Sequence, residues 1–121
     1  MELLVWQKGH ALALDIYRAT EAFPAHELYG LTSQMRRSAT SIPTNVAEGS
    51  ARDSKREFHR FLAIALGSAA ELEYQLLLAR DLNYLKSDHA TALGGQIDEV
   101  KRMLVGFRKQ LQMGLETSAD S

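Results

Sequence analysis

Six basic residues fall between positions 28 and 60: Arg36, Arg37, Arg52, Lys55, Arg56 and Arg60. Only three acids, Glu48, Asp53 and Glu57, stand among them, so the stretch has a surplus of three positive charges. The whole chain nets −1, which leaves the remainder at −4. A guanidinium is a planar fork that grips phosphate oxygens in pairs, so the chemistry these residues point to is binding of a polyanion, RNA first among them. The same charges also describe the solvated surface of a helix pair. A second pattern overlaps the first. Gln34, Arg37, Ser41, Asn45, Glu48 and Arg52 recur at steps of three and four and line one stripe of a helix. Beside it runs an apolar stripe of Leu31, Met35, Ile42, Val46 and Gly49. Glu48 and Arg52 are four apart in the favourable order for a helix ion pair. Ser41 and Asn45 are small enough to bond backbone carbonyls freed by Pro43. Two readings follow: a polar network that fixes bend and register, or a surface that meets a partner subunit or RNA phosphate.

Glu71 lies in a mostly apolar seam, where an unpaired carboxylate is expensive. One expectation is a buried or interfacial ion pair with Arg36 or Arg37. The other is a ligand or metal contact, and no nearby residues complete such a site. Catalytic chemistry finds little support. The chain has no cysteine, hence no disulfide, thiolate ligand or thiol nucleophile. His10, His26, His59 and His89 are scattered, without Glu-x-x-His or His-x-x-x-His spacing. No glycine-rich phosphate loop, nucleophile elbow or serine–lysine motif occurs. The expectation is a protein that is not an enzyme and holds no cofactor or metal.

The elements that position these residues are all helical. Val5, Gly9, Leu12, Ile16, Ala19 and Phe23 form the seam of a first helix, which Pro24 stops. A second helix is expected from about Leu28 to Ala51, with Leu28 continuing its seam and a kink near Pro43. A proline inside a helix removes a backbone hydrogen bond and clashes with the preceding turn, at a cost of about 3 kcal/mol. After a turn at Arg52 and Asp53, Ser54 and Glu57 match a capping box. The third helix then runs from about Lys55 to Leu82. Its first seam is Phe58, Leu62, Ala65, Ala69, Leu72, Leu76 and Ala79. A second seam is Phe61, Ile64, Ser68, Glu71, Gln75, Leu78 and Leu82. A helix apolar on more than one face is buried on more than one face, which argues for self-association. Glu71 and Glu73 near its centre argue against a membrane span. Ser87 or Asp88 caps a fourth helix with the seam Leu93, Ile97, Val100, Leu104, Phe107 and Leu111. Gly94-Gly95 marks a bend, a late start or a close crossing there. Short loops imply antiparallel neighbours. The fold expected is all-α, an antiparallel up-down-up-down four-helix bundle over residues 1–115, with a disordered tail at 116–121. The N-terminus lacks the basic start and long apolar run of a signal peptide, so a cytoplasmic location is expected.

Residues 23–85 resemble a known family. Leu31 to Arg37 match a Leu-Thr-x-Gln-x-Arg-Arg start, and Ser41 to Gly49 match Ser-Ile-Pro-x-Asn-x-Ala-Glu-Gly. Gly67 to Glu73 match Gly-Ser-x-x-Glu-Leu-Glu. On these motifs the chain resembles the bacterial four-helix-bundle proteins of the 23S rRNA intervening-sequence type. It is also similar to the accessory variability protein of diversity-generating retroelements. The resemblance marks Gln34, Arg37, Ser41, Pro43, Asn45, Glu48, Gly49, Ser68 and Glu71 as motif positions. It implies a ring-like homopentamer, and for the retroelement relative an association with a reverse transcriptase and RNA through a basic surface. This chain departs from that relative in its slight acidity, since five copies would carry about −5. The first expectation is therefore a non-enzymatic oligomeric protein that binds RNA or a ribonucleoprotein through Arg36, Arg37, Arg52, Lys55, Arg56 and Arg60. The alternative is a protein-interaction scaffold without nucleic-acid binding, in which Arg36, Arg37 and Glu71 hold the bundle and its subunit interface.

Overall fold

The computed structural model describes residues 3–117, with the side chain of Thr117 excepted. Helix α1 spans Leu4–Thr20, α2 Ser33–Ser50, α3 Lys55–Asp81 and α4 Ser87–Thr117. The remainder of the expected tail, residues 118–121, lies outside the described residues. Contacts between the helices set their directions. Gly9 of α1 meets Ile42 and Pro43 of α2, while Thr20 meets Arg36. Ser41 of α2 bonds Ser68 of α3, while Gly49 packs on Phe58 and Phe61. Glu73 of α3 pairs with Lys101 of α4, while Phe58 packs on Phe107. In each pair one number rises as the other falls, so successive helices are antiparallel. The result is an up-down-up-down four-helix bundle.

The core follows the apolar spacing. All of the first helix's seam is buried, and so are Leu62, Ala65, Ala69, Leu72, Leu76 and Ala79 of α3. Leu93, Ile97, Val100 and Leu104 supply the α4 side. Leu28 departs from expectation: it is 49% exposed. The cause is that α2 begins later than the pattern suggests. After Pro24 come a 3-10 turn, Ala25–Glu27, and a π-helical turn, Leu28–Thr32, in which Gly30 has non-helical geometry (φ −117°, ψ −113°). That break rotates Leu28 away from the seam to which Leu31 and Met35 belong.

Local chemistry fixes the ends. Glu27 Oε1 accepts from the Leu31 N–H at 3.2 Å, and Oε2 accepts from the Tyr84 hydroxyl at 2.8 Å. These two bonds hold the Glu27 carboxyl below the ordinary range, the Leu31 N–H contributing most, and the shared bond raises the Tyr84 phenol. At the start of α3, Ser54 Oγ accepts from the Glu57 N–H at 2.9 Å. Only this half of the capping box forms among the described contacts, because the Glu57 carboxylate takes Arg60 instead, at 3.0 Å. α3 ends on Asn83 at φ 64°, with Asn83 N–H donating to Arg80 O and Tyr84 N–H to Ala79 O. That is the left-handed cap in which asparagine substitutes for glycine. Gly94 and Gly95 lie inside α4 without a close crossing. A Cβ on Gly94 would meet only Leu76 Cδ2, at 3.8 Å, and one on Gly95 would meet nothing within 4 Å.

By length and composition α3 is apolar enough to cross a bilayer. Its packing between α2 and α4, with Glu71 and Glu73 at mid-helix, is that of a core helix.

Candidate functional site

Where α2 and α3 run side by side, residue numbers in contact sum to about the same value. Ser41 faces Ser68 and, by the same register, Ser38 faces Glu71 and Gln34 faces Gln75. Successive layers are one helical turn, about 5.4 Å, apart. Together with Arg37 these residues line an open furrow of about 450 Å³. One end is closed by a small network. Ser68 Oγ donates to Ser41 Oγ at 2.8 Å, and Asn45 Nδ2 donates to the same hydroxyl at 3.0 Å and to Ser41 O at 2.8 Å. The carbonyl that Pro43 deprives of its helical partner is that of Ala39, four residues earlier. Asn45 therefore does not serve it, contrary to expectation; its amide braces Ser41.

Glu71 and Arg37 both reach the furrow, yet no ion pair joins them within 4 Å among the described residues. Nor does Arg36 pair with Glu71. Arg36 turns to α1, where Nε donates to Thr20 Oγ1 at 2.9 Å and the guanidinium lies 4.6 Å over the Tyr17 ring. The expected buried ion pair of Glu71 is thus absent within one copy, and the physical reason is exposure. Glu71 stands on the solvent side of α3, where water solvates the carboxylate. Gln75 is the opposite case. It is 9% exposed, and its Oε1 is buried with no hydrogen-bond donor among the described residues.

The other motif positions are used for packing. Pro43 is buried against Gly9. At Gly49 an added Cβ would sit 2.7 Å from Phe61 Cβ and 2.8 Å from Phe58 Cδ1, so glycine is what lets α2 and α3 approach there. Glu48 pairs with Arg52 at 4.0 Å across an exposed surface.

The six basic candidates fall into two groups, one near the start of α2 and one about the α2–α3 turn. Arg36 and Arg37 stand near the start of α2, and Arg52 lies 15 residues beyond Arg37, about 22 Å along a helical rise. Arg52 and Arg60 clamp the Phe61 ring at 4.9 and 4.6 Å, and each is paired with an acid. Lys55 Nζ folds over Gly114 of α4. Arg56 is exposed and makes no ion pair among the described residues. Ser38 and Gln75 complete the furrow and were not singled out as site residues by spacing alone. The signal that finds them is the antiparallel register between the two motif segments.

Residues 1–106 match the 23S rRNA-intervening sequence protein family. The chain belongs to this family. A crystal structure from the S23 ribosomal protein family, a protein of unknown function from Bacteroides thetaiotaomicron VPI-5482, is 27% identical in sequence. It superimposes with a TM-score of 0.79 over 88% of this chain and 99% of its own. Comparison with curated proteins gives no match. Family membership accounts for the bundle and the motif positions, and it indicates no enzymatic family.

Proposed function

We propose that this member of the family is a non-enzymatic, cytoplasmic accessory protein that works as a homo-oligomer, with the outward face of α3 as its association surface. One observation carries the reading. The solvent side of α3 shows Ile64, Gly67, Ala70, Tyr74 and Leu77, all exposed, with Tyr74 at 62%. Between Phe61 and Ala70 the helix has no charged residue. Contiguous apolar surface of this kind on a small soluble domain marks a site of association. The resemblance noted above supports five copies in a ring. Glu71, without an ion pair among the described residues, lies on this face, one turn from Gly67 and from Tyr74. Light scattering tests the reading. The chain is expected to elute as an oligomer, and Ala70→Glu, a change at an exposed helical position, is expected to give a folded monomer. A monomeric unaltered chain would reject it.

A second reading, RNA contact, is favoured by the exposed, unpaired Arg56 beside Lys55 at the α2–α3 turn. It predicts RNA affinity that falls linearly in log–log form with salt, with a shallow slope because two of the neighbouring arginines are already paired with acids. Reversing Lys55 and Arg56 to glutamate would abolish that affinity and leave assembly unchanged.

A further inference from the structure

The furrow between α2 and α3 is charged on both sides and neutralised on neither. Arg37 and Glu71 line it from opposite helices, both exposed, without an ion pair within 4 Å between them. A cation and an anion thus face the same opening. A simple anion drawn to Arg37 would be opposed by Glu71, and a simple cation drawn to Glu71 would be opposed by Arg37. A guest that carries both charges gains from both.

Gln75 adds an independent requirement. This side chain is nine-tenths buried in the furrow wall, one turn beyond Glu71, and its Oε1 has no donor among the described residues. A buried carbonyl without a partner is costly and uncommon, and a turn of the side chain that brings it to a donor in the furrow removes the cost. At the other end the furrow is already satisfied. The Ser41 hydroxyl accepts from both Ser68 and Asn45 and forms a fixed wall. The opening, about 450 Å³, falls in the size range of small-molecule clefts, about 300–1,000 Å³. Its length from the Ser41 layer to the Gln75 layer is two helical turns, about 11 Å.

We propose that this furrow binds a small zwitterion of the free amino-acid class, with its carboxylate on Arg37, its ammonium on Glu71 and a donor group of its side chain towards Gln75. A planar guanidinium suits a carboxylate, and a carboxylate suits an ammonium. Both charges that define the site belong to one copy.

The test is a titration of the full-length, isotopically labelled chain with glycine, L-glutamine, L-glutamate and L-arginine, followed by shifts of furrow amide resonances. N-acetyl-L-glutamine and L-glutamine methyl ester, each lacking one of the two charges, serve as controls. The expected result is saturable binding of at least one parent amino acid, with L-glutamine the parent for the two controls, each of which binds about tenfold more weakly or not at all. Arg37→Gln and Glu71→Gln, at exposed positions, should weaken binding by a similar factor with helicity and oligomer mass unchanged. Gln75→Met should keep the fold and reduce the preference for side chains with a donor. Absence of any shift at millimolar amino acid would overturn the proposal, as would acetylated or esterified forms that bind as tightly as L-glutamine. It would also be overturned if Arg37→Gln altered the oligomer mass and no amino acid bound, which would assign the furrow to a neighbouring copy.

Discussion

Glycine positions separate packing from mere tolerance. At Gly49 the nearest atoms to an added methyl are the Cβ and ring of two phenylalanines on α3, at distances no real Cβ contact shows. Gly49→Ala must therefore push α2 off α3. It is expected to cost about 1–3 kcal/mol in chemical denaturation, the usual penalty for overpacking. Gly95 is the converse, since nothing lies within 4 Å of its added Cβ. Gly95→Ala should stabilise by about 0.5–1 kcal/mol through helix propensity alone. From spacing both are glycines on helices, and only the neighbouring helix distinguishes them. The same holds for Glu71. Its place in an apolar seam suggests burial, but the seam's edge faces solvent between α2 and the outer face of α3.

At the scale of elements, the α1–α2 connection is the least regular part of the bundle and depends on one carboxylate. Glu27 links the Leu31 N–H to the Tyr84 hydroxyl, tying the entry of α2 to the turn after α3. Its folded pKa lies below the ordinary 4.5, so its contribution is present in full above that value and is lost as pH falls through the lowered one. Tyr84 has the opposite sense. Its phenol is raised above 10.0, so that contribution is complete below the ordinary value and lost as pH rises through the raised one. His59, lowered by burial and then by Arg108, adds stability above 6.5 that is lost on acidification. Tyr84→Phe and Glu27→Gln should each flatten the acid limb of a stability–pH profile below 4.5, and neither should change the part centred on His59. The helices themselves were legible because periods of three and four persist over several turns in each. The Leu28–Thr32 π turn was not, because Gly30 leaves helical geometry within a segment whose apolar spacing still reads as helix. The furrow was half legible. Gln34, Arg37, Ser41, Ser68 and Glu71 stood out on their own helices, while Ser38 and Gln75 needed the antiparallel register to bring them in.

At the scale of the whole molecule, the bundle buries one seam of each helix and leaves a largely apolar face of α3, with Glu71 on it, facing water. Ile64 at 41% and Tyr74 at 62% exposure lie on that face with two small residues, Gly67 and Ala70, between them. Small residues between larger apolar ones permit another helix to come close, and the cost of leaving such a surface wet favours assembly. The basic residues, divided between two places, argue in the same direction. Arg36 is committed to α1, and Arg52 and Arg60 to Phe61 and nearby acids. A single phosphate-binding patch is therefore a weaker account of the molecule than association. Sedimentation equilibrium of the unaltered chain over a wide concentration range tests this most directly. The account predicts a mass that is a fixed multiple of the 13.5 kDa chain, five by the family resemblance, and a return to one chain mass for Ala70→Glu with helicity intact. A single chain mass at every concentration for the unaltered protein would contradict it.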